Sequence, residues 1–205
     1  MTDIKISNLN FQYADKVIFQ NADFTISKET INRIDGDNGI GKTTLFHILS
    51  GNLQTEFTIS PNQYFEFITT ECLPFNELTG KELILLFFKL NNKKAEQFAD
   101  YIQIFQELNI HPLFTTRYKN MSLGQQQKLT IIISFINKDK IVLLDEPFNA
   151  LDKASKASLS NIFINLSKNF KRTIIYISHN DFEVPIDRRF YISNYKIIEI
   201  DKYYD

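Results

Sequence analysis

The feature that most limits the fold of this chain is the segment at residues 36–43, which reads G-x-x-x-x-G-K-T. A short predicted strand, around Ile31 to Ile34, precedes it, and apolar residues with helical spacing follow it, at Leu45, Ile48 and Leu49. In a strand–loop–helix setting, glycines let successive backbone N–H groups turn inward, and the start of the helix adds a partial positive charge. The segment therefore predicts a loop that wraps a phosphate group.

Two side chains of this loop have specific expected tasks. Lys42 is placed to contact the terminal phosphates of a nucleotide, and the Thr43 hydroxyl is placed to bind Mg²⁺. The predicted nucleotide-binding residues in and beside the loop are Gly36, Asp37, Asn38, Gly39, Ile40, Gly41, Lys42, Thr43 and Thr44.

A second candidate feature is an apolar run, residues 141–144, that ends in two adjacent carboxylates, Asp145 and Glu146. Because side chains alternate along a strand, the two are expected to face different ways and to do different work. Asp145 suits the Mg²⁺ shell, since hard cations prefer oxygen ligands, and Glu146 suits a general base that polarises the attacking water. An acidic strand end alone is more often simply solvated, so the assignment depends on the phosphate loop upstream.

Apolar periodicity divides the chain into three stretches. Period-two patterns open it, at residues 4–13 and 24–26; helical spacing dominates about residues 78–136; strands and helices then alternate up to a closing hairpin at residues 190–200 that turns at Asn194. The apolar faces predicted in the helical stretch are Leu83 with Leu86 and Phe87, then Phe98 with Ile102 and Phe105, and then Leu129 with Ile132, Ile133 and Ile136.

This order predicts an α/β fold of the P-loop type. Its mainly parallel sheet core would carry an N-terminal antiparallel β part and an inserted helical lobe. We expect a single domain over residues 1–205, with residues 1–70 and 137–205 forming the nucleotide-binding core and residues 71–136 the helical lobe.

Composition excludes several classes of protein. The formal net charge of −1 gives no sign of a basic surface for nucleic acid. The most apolar segments are far shorter than the ~20 apolar residues that span a bilayer. The first residues lack the apolar core of a signal peptide. Cys72 is the only cysteine, so an intrachain disulfide and a thiolate zinc cluster are both impossible. If the protein serves a membrane, we expect it to do so through a partner.

Further motifs make the chain resemble the nucleotide-binding domain of ABC ATPases over nearly its whole length. Residues 121–129 read M-S-L-G-Q-Q-Q-K-L, similar to the family signature L-S-G-G-Q-Q-Q-R-L, and residues 149–152 read N-A-L-D, similar to the family's D-loop. His179, after an apolar strand, resembles the switch histidine, and Tyr13 lies where the family stacks an aromatic ring on adenine. These motifs also follow one another in the family's order.

The resemblance implies ATP and Mg²⁺ as ligands and ATP hydrolysis as the reaction. Catalytic roles would fall to Lys42, Glu146 and His179, and Thr43 and Asp145 would hold the metal. In the family, the signature segment binds the γ-phosphate held by the opposite subunit of a head-to-tail dimer, which can be a homodimer or a heterodimer. That role transfers to Ser122, Leu123, Gly124 and Gln125, with Asp152 in the D-loop.

Three positions depart from the family pattern. Leu123 replaces the first signature glycine, as in drug and peptide exporters of the family, and its side chain is expected to turn away from the anion site. Where the Q-loop glutamine should stand, alignment places Thr70 or, with a one-residue gap, Glu71. Turnover or coupling to a membrane partner can therefore differ from the family norm. Glu29 stands near a position where the family usually has glycine.

The sequence thus favours an ATP-hydrolysing subunit that drives a separate transmembrane permease, with an exporter suggested by the S-L-G signature and by the small mass of 24.0 kDa. Such a subunit would be cytoplasmic and peripheral on the inner face of the cell membrane. Two alternatives remain: an ABC-type ATPase acting on nucleic acid or the ribosome, against which the balanced charge argues, and a non-hydrolysing nucleotide-binding module, against which the complete set of catalytic residues argues.

Overall fold

A computed structural model describes residues 3–68, 73–94, 98–99, 101–107, 109–136, 140–149, 151–178 and 184–200. The strands in these residues are β1 (Ile4–Tyr13), β2 (Lys16–Ile26), β3 (Ile31–Asp35), β4 (Thr58–Ser60), β5 (Tyr64–Ile68), β6 (Lys140–Asp145), β7 (Ile174–Ile177), β8 (Arg188–Ser193) and β9 (Lys196–Ile200). The α-helices are α1 (Lys42–Leu49), α2 (Gly80–Leu90), α3 (Ile102–Glu107), α4 (Leu123–Ser134) and α5 (Lys153–Lys168). Two short 3₁₀ turns, His111–Leu113 and Tyr118–Asn120, lie between α3 and α4.

The main sheet has six strands in the order β5-β6-β7-β3-β8-β9. Strands β5, β6, β7, β3 and β8 run parallel, and β9 returns antiparallel to β8. The hairpin between β8 and β9 turns at Asn194 and Tyr195, which both have positive φ, as tight two-residue hairpin turns require. The predicted closing hairpin at residues 190–200 is therefore confirmed.

A second, smaller sheet forms at the N-terminal end of the chain, in the order β2-β1-β4, and all its pairs are antiparallel. The predicted α/β fold, with a mainly parallel core, an antiparallel N-terminal part and helices between β5 and β6, is confirmed. The precise limits of the core and the helical lobe stay a prediction.

Both faces of the main sheet are covered, and alternate residues of its central strand show this directly. Ile174 and Tyr176 of β7 belong to one buried cluster, which α5 and the helices between β5 and β6 complete. Ile175 and Ile177 belong to the other, which α1 and the small antiparallel sheet complete. Parallel strands need this cover because the side chains on both of their faces are apolar.

The helical segment differs from the sequence prediction in two of its three apolar faces. On α2 the buried apolar residues are Leu83, Ile84 and Phe88, so Leu86 and Phe87 lie at the edge of the buried face and are only partly buried. Of the second predicted face, Phe98 and Phe105 do pack together in the core, with ring centres 5.1 Å apart, whereas Ile102 is 40% exposed. Tyr101, which is 7% exposed and packs edge-on against Phe88, takes the buried place predicted for Ile102.

The third face is confirmed. Leu129, Ile132, Ile133 and Ile136 are all buried, and the first three lie on α4. Among the helices that the structure describes, none has both the length and the apolar character needed to cross a membrane.

Candidate nucleotide-binding site

The loop that connects β3 to α1 has a backbone shape that depends on glycine. Gly36 and Gly41 have φ values of 147° and 119°, a region that other residues rarely adopt. Gly41 also packs so closely against Ile18 that a Cβ would collide with its Cγ2 atom. Local backbone geometry therefore explains the two glycines that frame the motif.

Lys42 folds back over this loop. Its Nζ donates hydrogen bonds to the carbonyl oxygens of Gly36, at 2.6 Å, and Asp37, at 3.0 Å. Burial lowers the pKa of the Lys42 ammonium below its usual value, and the negative charges of Glu146 and Asp145 offset part of that effect. A cation held here, at the start of α1, is suited to an incoming polyphosphate.

Thr43 and Asp145 bring two oxygen atoms together at the end of β6. The Thr43 hydroxyl donates to Asp145 Oδ2 at 2.7 Å, although 102 positions separate them in the sequence. Hydroxyl and carboxylate oxygens are ligands that Mg²⁺ prefers, so this pair of residues fits the ion that the sequence predicts. In the described part of the chain, no group of three or more His, Cys, Asp or Glu side chains is arranged for a metal, so phosphate oxygens and water would have to complete the shell.

Glu146 follows β6 with a φ of 51°, which ends the strand and stops its side-chain alternation. Its N–H donates to the carbonyl oxygen of Ile177, at the end of β7, over 3.1 Å. Asp145 and Glu146 both line the same cleft. That they face different ways and do different work stays a prediction.

These groups surround an open cleft of about 600 Å³. Tyr13 lies at its rim, 46% exposed, with its ring edge-on to Phe11 at 4.8 Å between ring centres. Predicted residues that line the cleft are Tyr13, Asn38, Gly39, Gly41, Lys42, Thr43, Thr44, Asp145 and Glu146. Gly36 and Asp37 do not line the cleft but hold Lys42, which does, through their carbonyl oxygens. The N–H of Ile40 donates to the Asp37 carbonyl oxygen within the loop.

Sequence reasoning missed several cleft residues, namely Lys16, Ile18, His47 and Phe67, and it had placed Asn149 only in the D-loop. Lys16 Nζ donates to the carbonyl of Gly39 at 3.3 Å, and the rings of His47 and Phe67 meet edge-on at 4.9 Å. The only sequence signal was proximity of Lys16 to Tyr13 and of His47 to the phosphate loop.

The signature segment lies at the start of α4. Ser122 caps that helix: its Oγ accepts from the Gln125 N–H at 3.3 Å, and the Ser122 N–H donates to Gln125 Oε1 at 2.9 Å. Gly124 lies against α5, where a Cβ would come within 2.7 Å of Ser155 Oγ. Leu123 is 41% exposed.

A separate small pocket of about 140 Å³ brings the signature beside the D-loop segment, because Ser122, Gly124 and Gln125 line it together with Leu151 and Ser155. Asp152 caps α5 by accepting from the Ser155 N–H at 2.7 Å, and that backbone bond lowers the pKa of its carboxyl group. The signature and the phosphate loop thus line two different cavities of one chain.

Three predicted positions, Thr70 and Glu71 at the Q-loop and His179 at the switch, lie outside the described residues, and so does Cys72. Their assignments stay predictions.

The sequence model of the ABC transporter family matches residues 19–149, a stretch that holds the phosphate loop, the signature and the acidic pair. The chain belongs to this family. As an ABC transporter ATP-binding chain it binds ATP, and its ATP hydrolysis is coupled to transport.

Curated relatives support the same assignment. The chain is 31% identical to an uncharacterized ABC transporter ATP-binding protein of Methanocaldococcus jannaschii, over 86% of this chain and 68% of that protein. It is 26% identical to the lipoprotein-releasing system ATP-binding protein LolD of Buchnera aphidicola, over 86% and 88% of the two chains. It is also 26% identical to the molybdate import ATP-binding protein MolC of Haemophilus influenzae, over 88% and 74%.

Solved structures share the ABC ATPase fold. An ATP-binding cassette of an ABC transporter in its ADP conformation superposes with a TM-score of 0.81 at 19% identity, over 97% of this chain and 90% of that one. The cbiO1 subunit of the cbiONQ transporter complex of Clostridium perfringens gives 0.80 at 20% identity, over 95% and 86%.

Proposed function

We propose that two copies of this ATP-binding subunit, or one copy and a related chain, close head-to-tail on two ATP molecules and drive a separate transmembrane permease. The observation that carries the proposal is the meeting of Thr43 with Asp145, because it places the phosphate loop beside the acidic strand end in one open cleft. Membership of the family couples ATP hydrolysis to transport, and the dimer, the residue roles and the direction are parts of this proposal.

Within the cleft, each side chain has a chemical task. Tyr13 stacks on the adenine ring, the loop amides bind the β- and γ-phosphates, and Lys42 balances their charge. Thr43 and Asp145 hold Mg²⁺, which when bound neutralises charge on the phosphate oxygens. Glu146 polarises the water that attacks the γ-phosphorus, the bond to the bridging oxygen breaks, and ADP and phosphate leave. His179 contacts the γ-phosphate.

The signature pocket supports the dimer. The Ser122 hydroxyl oxygen already accepts from Gln125 N–H, so its own O–H can donate to a phosphate oxygen at the positive end of α4. Because that pocket is distinct from the Lys42 cleft of the same chain, a second copy is the natural source of the γ-phosphate that it binds.

The partner and the direction follow from the family and from the signature segment. ABC ATP-binding subunits pair with transmembrane permeases, so the subunit would lie at the cytoplasmic, inner face of the membrane through that partner. Export is supported by the Ser122-Leu123-Gly124 signature, although the named relatives include both an import and a releasing system. Accumulation of cargo in inside-out vesicles that contain the co-purified permease would agree with export; ATP-driven depletion would contradict it.

A Glu146→Gln variant tests the proposed function. The amide cannot accept the proton of the attacking water, so we expect phosphate release to fall about a hundredfold or more while ATP binding persists. With MgATP the variant should accumulate as a dimer in light scattering, and the wild-type chain should do so only transiently.

Lys42→Ala is the matched control, because it removes the cation from the same cleft and should weaken ATP binding, so that the ATP-bound dimer does not accumulate. If the Glu146→Gln chain stays monomeric with saturating MgATP, or releases phosphate at the wild-type rate, the proposed roles are wrong.

A further inference from the structure

A buried ionic network lies directly behind the phosphate loop. Arg33 Nε donates to Asp35 Oδ1 at 2.7 Å, and Arg189 Nε donates to Asp35 Oδ2 at 2.5 Å. The side chains of Arg33 and Asp35 are only 11% and 10% exposed. Arg33 and Arg189 are register neighbours on β3 and β8, so the shared carboxylate also joins the two strands side by side.

This network touches the end of the neighbouring strand as well. Arg33, which binds Asp35 through Nε, also donates through Nη2 to the carbonyl oxygen of Ser178, at 3.3 Å. Ser178 directly follows Ile177, whose carbonyl oxygen accepts the N–H of Glu146. One planar fork therefore links β3 to the strand end that holds the backbone of Glu146.

On its other side the network is covalently continuous with the phosphate loop. Asp35 precedes Gly36, and the Gly36 carbonyl oxygen accepts from Lys42 Nζ. A displacement of Asp35 would thus move the loop, and a displacement of Ser178 would move the residue that binds Glu146. The Arg33 side chain spans the two.

Stability alone is a weak reason for charges at this place. A central strand of a parallel sheet is usually apolar, and well-packed apolar residues can replace a buried ion pair at little cost or even with a gain. What apolar side chains cannot supply is a directional contact that fixes the distance between two strand ends. A guanidinium can, because its donors are set in a rigid fork.

We propose that Arg33 is a positioning residue for ATP hydrolysis, which sets the backbone of Glu146 relative to the phosphate loop through Asp35 and Ser178. The inference rests on the proposed role of Glu146. Arg33 does not line the nucleotide cleft, so its effect falls on the rate of hydrolysis and leaves the contacts that bind ATP in place.

Arg33→Lys and Arg33→Met test the proposal in the full-length chain. Lysine keeps a positive charge beside Asp35 but cannot bind Asp35 and the Ser178 carbonyl with one rigid group, and methionine removes both contacts. We expect kcat for ATP to fall on the order of tenfold in both variants, since small misplacements of a catalytic group slow reactions steeply. KM and the affinity for a fluorescent ATP analogue should stay within about twofold of wild type.

Arg188→Lys is the matched control. Arg188 makes a comparable fork on β8, to Glu199 Oε1 at 2.6 Å and to Ser27 Oγ at 2.9 Å, on residues that do not line the cleft. It should change kcat and KM little. If Arg33→Lys and Arg33→Met keep the wild-type kcat, or if Arg188→Lys lowers kcat as much, the positioning role is refuted.

Hydrogen exchange of the nucleotide-free chain gives a readout that does not need turnover. In Arg33→Lys, the peptide over residues 141–149 should exchange faster than in wild type, because the bond from Glu146 N–H to Ile177 loosens; in Arg188→Lys it should not. Unchanged exchange in Arg33→Lys would overturn the inference even if methionine prevents folding. A wild-type chain that releases no phosphate would instead refute the proposed function.

Discussion

At the scale of single residues, the nucleotide cleft of this chain holds one buried cation among carboxylates. Lys42 is almost fully buried, and its ammonium donates to two loop carbonyls. A bound triphosphate would offer that ammonium stronger, charged partners. The exchange of carbonyls for phosphates makes the protonation of Lys42 part of the binding equilibrium.

Nucleotide affinity should therefore weaken at alkaline pH. The pKa of Lys42 in the nucleotide-free chain is lowered by burial, and bound phosphates raise it, so the affinity declines as pH rises above the lowered pKa and begins to do so below the usual 10.5. Equilibrium titrations with a fluorescent ATP analogue between pH 7 and pH 10 measure it. Lys42→Ala should bind more weakly and should lack this part of the pH dependence; parallel profiles of the two proteins would contradict the assignment.

Residues that lie in one contiguous motif could be predicted from the sequence, and residues assembled by folding could not. The loop around Lys42 is local, so its glycines and its following helix indicate its shape. Ile18 and Phe67 reach the same cleft from β2 and β5, and no spacing in the sequence shows that. Arg33 and Asp35 did leave a signal, because polar residues are unusual in a strand that is buried on both faces.

At the scale of elements, two helices begin with the same cap, and only one cap belongs to the signature. Ser122 with Gln125 starts α4, and Thr79 with Glu82 starts α2; each pair forms a complete capping box. Because the two caps have the same geometry, comparing variants of the two separates the stabilising effect of a helix cap from the proposed binding of phosphate by Ser122.

Ser122→Ala and Thr79→Ala should each destabilise the chain by about 1 kcal/mol, because each leaves a helix N-terminus without its side-chain acceptor. Denaturant unfolding measures that loss. Only Ser122→Ala should also slow ATP turnover, on the order of tenfold or more, because it removes a donor to the γ-phosphate. Equal turnover in the two variants would reduce Ser122 to an ordinary helix cap.

The elements themselves were predictable where the apolar residues are dense. The buried residues of α4 and the closing hairpin agree with the sequence, because the last turns of α4 are rich in apolar residues and the two strands of the hairpin are adjacent in the chain. In the face drawn through Phe98, Ile102 and Phe105, only Ile102 was misplaced, since spacing over so short a stretch does not decide which side chain turns to the core. The structure gives α3 only six residues.

At the scale of the whole molecule, two separate cavities of the chain would be the two halves of one ATP site in the proposed dimer. Tyr13, Lys42, Asp145 and Glu146 line one cavity, and the signature lines another. A head-to-tail dimer would complete both sites at once, whereas a self-sufficient subunit would need the signature beside its own Lys42. The two arrangements predict different rates of ATP hydrolysis when chains with different defective residues are mixed.

A mixture of Lys42→Ala and Ser122→Ala chains should distinguish them. Each variant alone spoils both sites of its own dimer, but a mixed dimer pairs the intact loop of the Ser122→Ala chain with the intact signature of the Lys42→Ala chain. With random pairing and independent sites, an equimolar mixture should recover about a quarter of wild-type turnover, because half of the dimers are mixed and each has one good site. Phosphate release measured across mixing ratios should peak near equimolar. Turnover that merely averages the two variants would exclude the shared site and leave each subunit hydrolysing alone.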